Sequence, residues 1–197
     1  MFIFQNATAD NADEIASIVI EHSDGVVEKL FKGLIPGLSA ASILSAAFIK
    51  GEEPYQPENV FCSIADGVII SMLFCYPAAS HKIPALLESF IPNKRLQPVR
   101  PILERSLPDS LYVNTMWIAP SHRTECARKS LLRMAENICS EKGLDSLSLF
   151  CWHDHVEDMR FLQEQGFLIA EQLEQNVIPL ENHPGGGAIM YKPLASA

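Results

Sequence analysis

Leu111-Tyr112-Val113-Asn114-Thr115-Met116-Trp117-Ile118 runs through Ala119-Pro120-Ser121-His122-Arg123 into Thr124-Glu125-Cys126-Ala127-Arg128. The first eight residues are mostly apolar, β-branched or aromatic, and Pro120 stops them, so they predict a buried strand. From about Thr124 to Glu141, the residues Ala127, Leu131, Met134, Ala135 and Ile138 recur at helical spacing, and Gly143 stands where a helix is closed by a left-handed residue. A strand that feeds a loop and then a helix N-terminus is a general anion site. The first-turn N–H groups lack intrahelical acceptors, and the helix dipole favours negative charge there. Arg123 and Arg128 add positive charge to this place, while Glu125 opposes it.

The same reading extends downstream. Ser146 to Trp152 predicts another strand, Glu157 to Gln165 a short helix closed by Gly166, and Phe167 to Leu173 with Ala188 to Tyr191 the last strands. Gly185-Gly186-Gly187 follows Pro184 and precedes a strand. It lacks the strand-before, helix-after setting of a nucleotide loop and reads as a turn in the last hairpin.

Upstream, Phe2 to Asn6 predicts a first strand. Thr8 or Asp10 is placed to cap a helix that carries Ile15, Ile18 and Val19. Helical stretches follow over Gly25 to Gly33 and, capped by Ser39, over Ile43, Leu44, Ala47 and Phe48. Val60 to Ala65 and Val68 to Tyr76 flank Asp66-Gly67, a strong hairpin signal. Between Ala78 and Pro108 stand Pro84, Pro92, Pro98, Pro101 and Pro108, which predict short helices in an insertion rather than one continuous element. The order β-α-α-α-β-β-(insertion)-β-α-β-α-β-β predicts an α/β fold, a mixed sheet with helices packed on it.

The chain has 197 residues, 48% hydrophobic and 20% charged, values that suit a single globular domain with a full core. Its formal net charge is -9, without a Lys/Arg run that could track a phosphate backbone, so nucleic acid is not expected as a partner. Apolar runs too short to span a bilayer and a start that reads as a strand place the expected protein away from membranes. Cys62, Cys75, Cys126, Cys139 and Cys151 form an odd set without a CxxC pair. Reduced thiols in a cytoplasmic protein are the expectation.

The strand–Pro–loop–helix segment resembles the coenzyme A half of the GCN5-related N-acetyltransferases (GNAT), whose motif here is Arg/Gln-x-x-Gly-x-Gly/Ala. Ser148-Leu149-Phe150-Cys151-Trp152 is similar to the family's next strand, and Phe161-Leu162-Gln163-Glu164-Gln165-Gly166-Phe167 to its Leu-Tyr-Glu-Arg-Leu-Gly-Phe segment. Motif-level likeness covers about a third of the chain, from roughly Ser110 to Phe167. The resemblance implies a mixed, mostly antiparallel central sheet flanked by helices. It also implies acetyl-CoA as cosubstrate and acetyl transfer to an amine of a small molecule or peptide. It leaves a homodimer open, since dimers are common among proteins of this resemblance.

By the same resemblance, the backbone of Met116, Trp117 and Ile118 holds the thioester and polarises its carbonyl. Arg123, Thr124, Glu125, Cys126, Ala127 and Arg128 meet the pyrophosphate. Two departures stand out. The family glycines, which let backbone approach phosphate, fall on Cys126 and Arg128, and the family's thiolate-protonating Tyr falls on Leu162. The family's Asn falls near His155. Candidate proton acceptors are His122, His155 and Glu28, and Tyr112 and Asn114 share one strand face by period-two alternation. The alternative is a non-catalytic coenzyme A-binding or oligomeric protein on the same fold.

His153-Asp154-His155 puts two imidazoles on one side of an extended segment, but two ligands do not make a metal site, and a polar loop at a strand end is the expected reading. Cys126, at a helix N-terminus beside arginines, reads as a small residue in place of glycine rather than as a nucleophile. Trp117 and Trp152 read as core or pocket wall.

Overall fold

In the computed structural model, residues 4–174 and 181–194 are described. The strands are β1 (Gln5–Asn6), β2 (Val60–Ala65), β3 (Val68–Pro77), β4 (Ser110–Ile118), β5 (Ser146–Trp152), β6 (Leu168–Leu173) and β7 (Gly187–Pro193). The helices are α1 (Ala12–His22), α2 (Val26–Phe31), α3 (Ala40–Lys50), α4 (Ala85–Phe90), α5 (Asn93–Leu96), α6 (Arg100–Glu104), α7 (Glu125–Glu141) and α8 (Val156–Glu164). Their order is the one read from the sequence. The strands form one seven-stranded mixed sheet in the order β1-β2-β3-β4-β5-β7-β6, flanked by helices. The pairs β1–β2, β2–β3, β5–β7 and β6–β7 are antiparallel, and β4–β5 is parallel.

The chain clusters into two units interleaved along the sequence. One comprises the described residues up to Cys75 together with Pro84–Pro92 and Thr115–Met134. The other comprises Tyr76–Ile83, Asn93–Asn114 and the described residues from Ala135 on. Strands β3 and β4 and helix α7 each contribute to both.

In the first unit, the β2–β3 hairpin turns on Asp66 and Gly67, both at positive φ (51° and 78°), the backbone that a two-residue hairpin of this hand requires. The register shifts between Ser63 and Ile64, so that Ile70 is an extra residue on β3. The bulge is put to use on both sides. The Glu14 carboxylate of α1 accepts from the Ile69 amide at 2.8 Å, and the Ile70 carbonyl accepts from the Ala119 amide at 2.9 Å. Glu14 thereby anchors α1 to the sheet, and Ser45 of α3 donates to Asp13 of α1 at 2.5 Å. Ser39 caps α3 as its sequence predicts, accepting from the Ser42 amide at 3.0 Å. Thr8 instead closes a short 3-10 turn through Asn11, and α1 starts at Ala12. The core of this unit includes Phe48 and Phe74, against which half-buried Tyr55 packs, with ring centroids 5.3 to 6.1 Å apart.

In the second unit, β7 is held between β5 and β6. Gly187 is required there. A Cβ on it would lie 2.4 Å from the Phe150 ring and 2.7 Å from the Cys151 carbonyl oxygen. Gly185 lies in a turn ahead of the last strand, as expected, while Gly187 is already the first residue of β7. The parallel register pairs Ser110, Leu111 and Tyr112 with Ser146, Leu147 and Ser148, and the buried hydroxyls of Ser110 and Ser148 meet at 2.6 Å. The predicted insertion is a string of short helices, α4 to α6. Of the first predicted strand, Phe2 and Ile3 lie outside the described residues. All five cysteines are free, four of them buried and Cys126 exposed. Among the described residues, no helix is long and apolar enough to cross a membrane.

Candidate active site

The N-terminus of α7 is built by Thr124. Its hydroxyl accepts from the Ala127 amide at 3.2 Å and its carbonyl from the Arg128 amide at 3.0 Å. This is an N-cap, which the sequence reading had not assigned to Thr124. The cap satisfies the Ala127 and Arg128 amides internally, while those of Glu125 and Cys126 lie ahead of the first intrahelical bond. Before it, Pro120–His122 form a 3-10 turn, and Arg123, Thr124, Glu125 and Cys126 are exposed, with Ala127 buried and Arg128 half-buried. The Glu125 carboxylate is drawn down the helix to the Lys129 ammonium at 2.5 Å. That hydrogen bond and its charge, with a smaller contribution from Arg128, hold the carboxyl below its ordinary range. Glu125 thus stays ionised but paired. Arg123, Arg128 and Lys129 set three cations against one carboxylate around these first turns.

On β4, in the same unit, Ile118 is buried and Met116 and Trp117 half-buried. The indole N–H of Trp117 is itself buried and finds no acceptor among the described residues. A buried donor in that state calls for an explanation, and a bound acceptor is one.

Toward its N-terminal end, β4 carries Tyr112 and Asn114 in the second unit. They share a face, as alternation predicts, and there they meet two side chains the sequence reading missed, Tyr76 and His81. The Asn114 side-chain nitrogen donates to the Tyr76 hydroxyl at 3.1 Å, and that hydroxyl lies 3.1 Å from His81 Nδ1. His81 Nε2 lies 3.0 Å from the Ile102 carbonyl oxygen. The His81 ring stacks on Tyr112 with centroids 3.7 Å apart, and Tyr76 tilts against Tyr112 at 5.8 Å. Tyr76, His81 and Tyr112 are buried, and Asn114 is half-buried. Burial pushes His81 down to about 4, the Ile102 hydrogen bond opposing, and pushes the Tyr112 phenol up. Both are therefore neutral near pH 7.

His155 lies in a different group, after β5. His153 donates through Nδ1 to the Gly185 carbonyl at 2.8 Å, and the Asp154 carboxylate lies 3.0 Å from His183 Nδ1 through either oxygen. The His155 ring meets His183 edge-on, with centroids 5.6 Å apart, and His183 stacks on Trp152 at 3.8 Å. Burial raises the Asp154 carboxyl, but the hydrogen bond and charge of His183, its own backbone and the charge of His155 outweigh that and hold it low. The imidazole set against His155 is therefore His183, remote in sequence, rather than His153 two residues away. Leu162 is buried in α8, a hydrocarbon where the resemblance puts a phenol.

Solved structures match this fold over nearly the whole chain. An acetyltransferase structure superposes with a TM-score of 0.68 at 17% identity, covering 97% of this chain and 98% of the other. An N-acetyltransferase from Staphylococcus aureus Mu50 gives 0.69 at 14%, covering 96% and 99%. PaiA N-acetyltransferase from Thermoplasma acidophilum, in complex with coenzyme A, gives 0.53 at 12%, covering 98% and 99%. No protein-family model matches the chain, and no curated protein matches it by sequence. What these likenesses define is a class, the N-acetyltransferase fold. It is the GNAT fold that the Leu111–Arg128 segment led us to expect.

Proposed function

We propose that this protein binds acetyl-CoA and transfers its acetyl group to a primary amine of a small molecule or peptide. The observation that carries the reading is the whole-chain match to acetyltransferase structures, one of them with coenzyme A bound. It is supported by a capped α7 N-terminus that presents leading amides beside Arg123, Arg128 and Lys129, chemistry suited to a pyrophosphate.

In this reading the amine nitrogen attacks the thioester carbonyl carbon. A C–N bond forms, the C–S bond breaks, the attacking nitrogen loses a proton, and the coenzyme A thiolate gains one. The products are the acetamide and free coenzyme A thiol. The backbone of Met116, Trp117 and Ile118 holds the thioester and polarises its carbonyl. Tyr112, kept neutral by burial, suits positioning rather than proton removal, and Asn114 lies beside it. His155, half-buried at the start of α8, is assigned as proton acceptor for the attacking amine, and water protonates the thiolate in place of the missing Tyr. A reducing, cytoplasmic compartment suits the five free thiols.

The buried Leu162, with side chains at Cys126 and Arg128, favours one other reading, a coenzyme A binder without turnover. Thermal unfolding with acetyl-CoA tests binding, because a ligand of the native state raises stability. Release of free thiol with spermidine, lysine or an alanine-initiated tripeptide separates enzyme from binder. Absence of stabilisation at millimolar acetyl-CoA overturns both readings, and stabilisation without thiol release overturns transfer to these amines.

A further inference from the structure

Strand β6 ends the sheet, and among the described residues it is paired on one side only, by β7. In an antiparallel pair every second residue turns its N–H and C=O away from its neighbour, so the outer rim of β6 carries a row of such groups. Its sequence is Leu168-Ile169-Ala170-Glu171-Gln172-Leu173, and only Leu173 is buried. Leu168 is 52% exposed and Ile169 41%. Successive residues of a strand point to opposite faces, so apolar side chains stand open on both faces of the rim. A helix laid on the sheet covers one face. An extended strand added at the edge, about 5 Å away, flanks both faces and takes up the backbone groups as well. The rim therefore fits a strand.

The charges select which strand. The chain carries a net charge of -9, so two copies repel each other at long range. At the rim that repulsion is relieved. Glu171, the one charged residue of β6, is held by Arg105 in an ion pair whose side chains stay partly exposed, Arg105 at 43% and Glu171 at 46%. The edge is thus locally neutral. It carries neither lysine nor proline, residues that keep sheet edges apart, although a bulge at Ala170 twists it. A two-fold axis at the middle of the strand, by Ala170 and Glu171, pairs the edge with itself antiparallel and sets the two Arg105–Glu171 pairs against each other. A guanidinium has five N–H donors, enough for a carboxylate of each copy.

We propose that β6 is a docking edge for a second copy of this chain, the two strands pairing antiparallel about a two-fold axis and continuing the sheet. The inference is independent of the acetyl-transfer reading. A bulged six-residue edge is small beside a standard interface, so the dimer is a weak one, with a dissociation constant in the micromolar range.

Sedimentation equilibrium of the unaltered protein from about 1 µM to about 1 mM should show a reversible passage from one chain mass to two. Leu168→Lys and Ile169→Lys should each raise the dissociation constant roughly tenfold or more. Val156→Lys, at a still more exposed apolar position on α8, should leave it within about twofold. Circular dichroism checks that each variant is folded. Arg105→Glu and Glu171→Arg each place like charges along the rim, so each should be monomeric alone, and the two should pair when mixed. Amide hydrogen exchange over residues 168–173 should slow with rising concentration in the unaltered protein and not in Leu168→Lys. A protein that stays monomeric at about 1 mM leaves the edge to another strand or to none, and overturns the proposal. So does a dimer indifferent to both lysine variants, an equal loss in Val156→Lys, or a failure of the mixed charge variants to pair.

Discussion

His81 holds a neutral imidazole among aromatic rings, and that has a cost in acid. Its ordinary value of 6.5 falls to about 4 in the folded protein because burial disfavours the charged ring. Between these two values the unfolded chain takes up a proton that the native protein refuses. Stability therefore falls as pH drops through that window and levels off for this group below about 4. At about 1.4 kcal/mol per pH unit, the loss is roughly 3 kcal/mol. Urea unfolding of the unaltered protein and of His81→Asn checks this. The stability difference between them should move by about that amount, in favour of the variant, from neutral pH to about pH 4. A pH-independent difference would contradict a buried neutral His81. At Trp117 the argument runs the other way. Its indole N–H already lacks an acceptor among the described residues, so Trp117→Phe removes an unpaired donor and should leave the unfolding temperature unchanged or slightly higher. If that N–H serves a bound acceptor, the same variant should lose part of the stabilisation given by acetyl-CoA.

At the scale of elements, the β5–β7 pairing depends on a close approach. Any side chain at Gly187 meets the main-chain oxygen of Cys151, which cannot swing aside as a flexible side chain would. Gly187→Ala should therefore destabilise by about 1–3 kcal/mol, the usual cost of overpacking, read as a lower urea midpoint. Ala at Gly185, where a Cβ would meet only the His153 Cβ at 3.5 Å, is the tolerant control. The same elements separate what was legible in the sequence from what was not. Strand β5 was read to the residue, and α7 to within one, because apolar period, proline stop and glycine close agree in the same places. The cap at Thr124 was hidden by Arg123 and Glu125, whose charges draw the eye to the anion and away from the hydroxyl. Tyr76 and His81 carry no spacing signal. One ends an apolar strand and the other opens a proline-rich stretch, and only the fold sets them beside Tyr112 and Asn114. His183 is likewise 28 residues from His155 in the chain, too far for any local pattern to pair them.

At the scale of the whole molecule, two opposing fields would act on the two substrates of the proposed acetyl transfer. The chain carries a net charge of -9, which repels the phosphates of acetyl-CoA and attracts a cationic amine. Around the α7 N-terminus the local balance is reversed by Arg123, Arg128 and Lys129, with Glu125 paired off by Lys129. Salt screens the distant field first, because charges more than about 8–10 Å apart are already beyond a Debye length near physiological ionic strength, while contacts at hydrogen-bond range are screened least. Raising ionic strength from about 20 to about 150 mM should therefore act with opposite sign on the two substrates. The KM for spermidine should rise several-fold as long-range attraction is lost, while the KM for acetyl-CoA should stay level or fall as long-range repulsion is lost. An alanine-initiated tripeptide, close to neutral overall, should respond little. Steady-state kinetics at the two salt concentrations checks all three. A rise in the acetyl-CoA KM parallel to that of spermidine would mean that the cofactor is held by long-range attraction, against a local site at the helix N-terminus. Arg123→Ala should then be the informative variant, since it removes a local cation without changing the sign of the distant field. With a local site, it raises the acetyl-CoA KM at both salt concentrations and leaves the salt response of the amine unchanged.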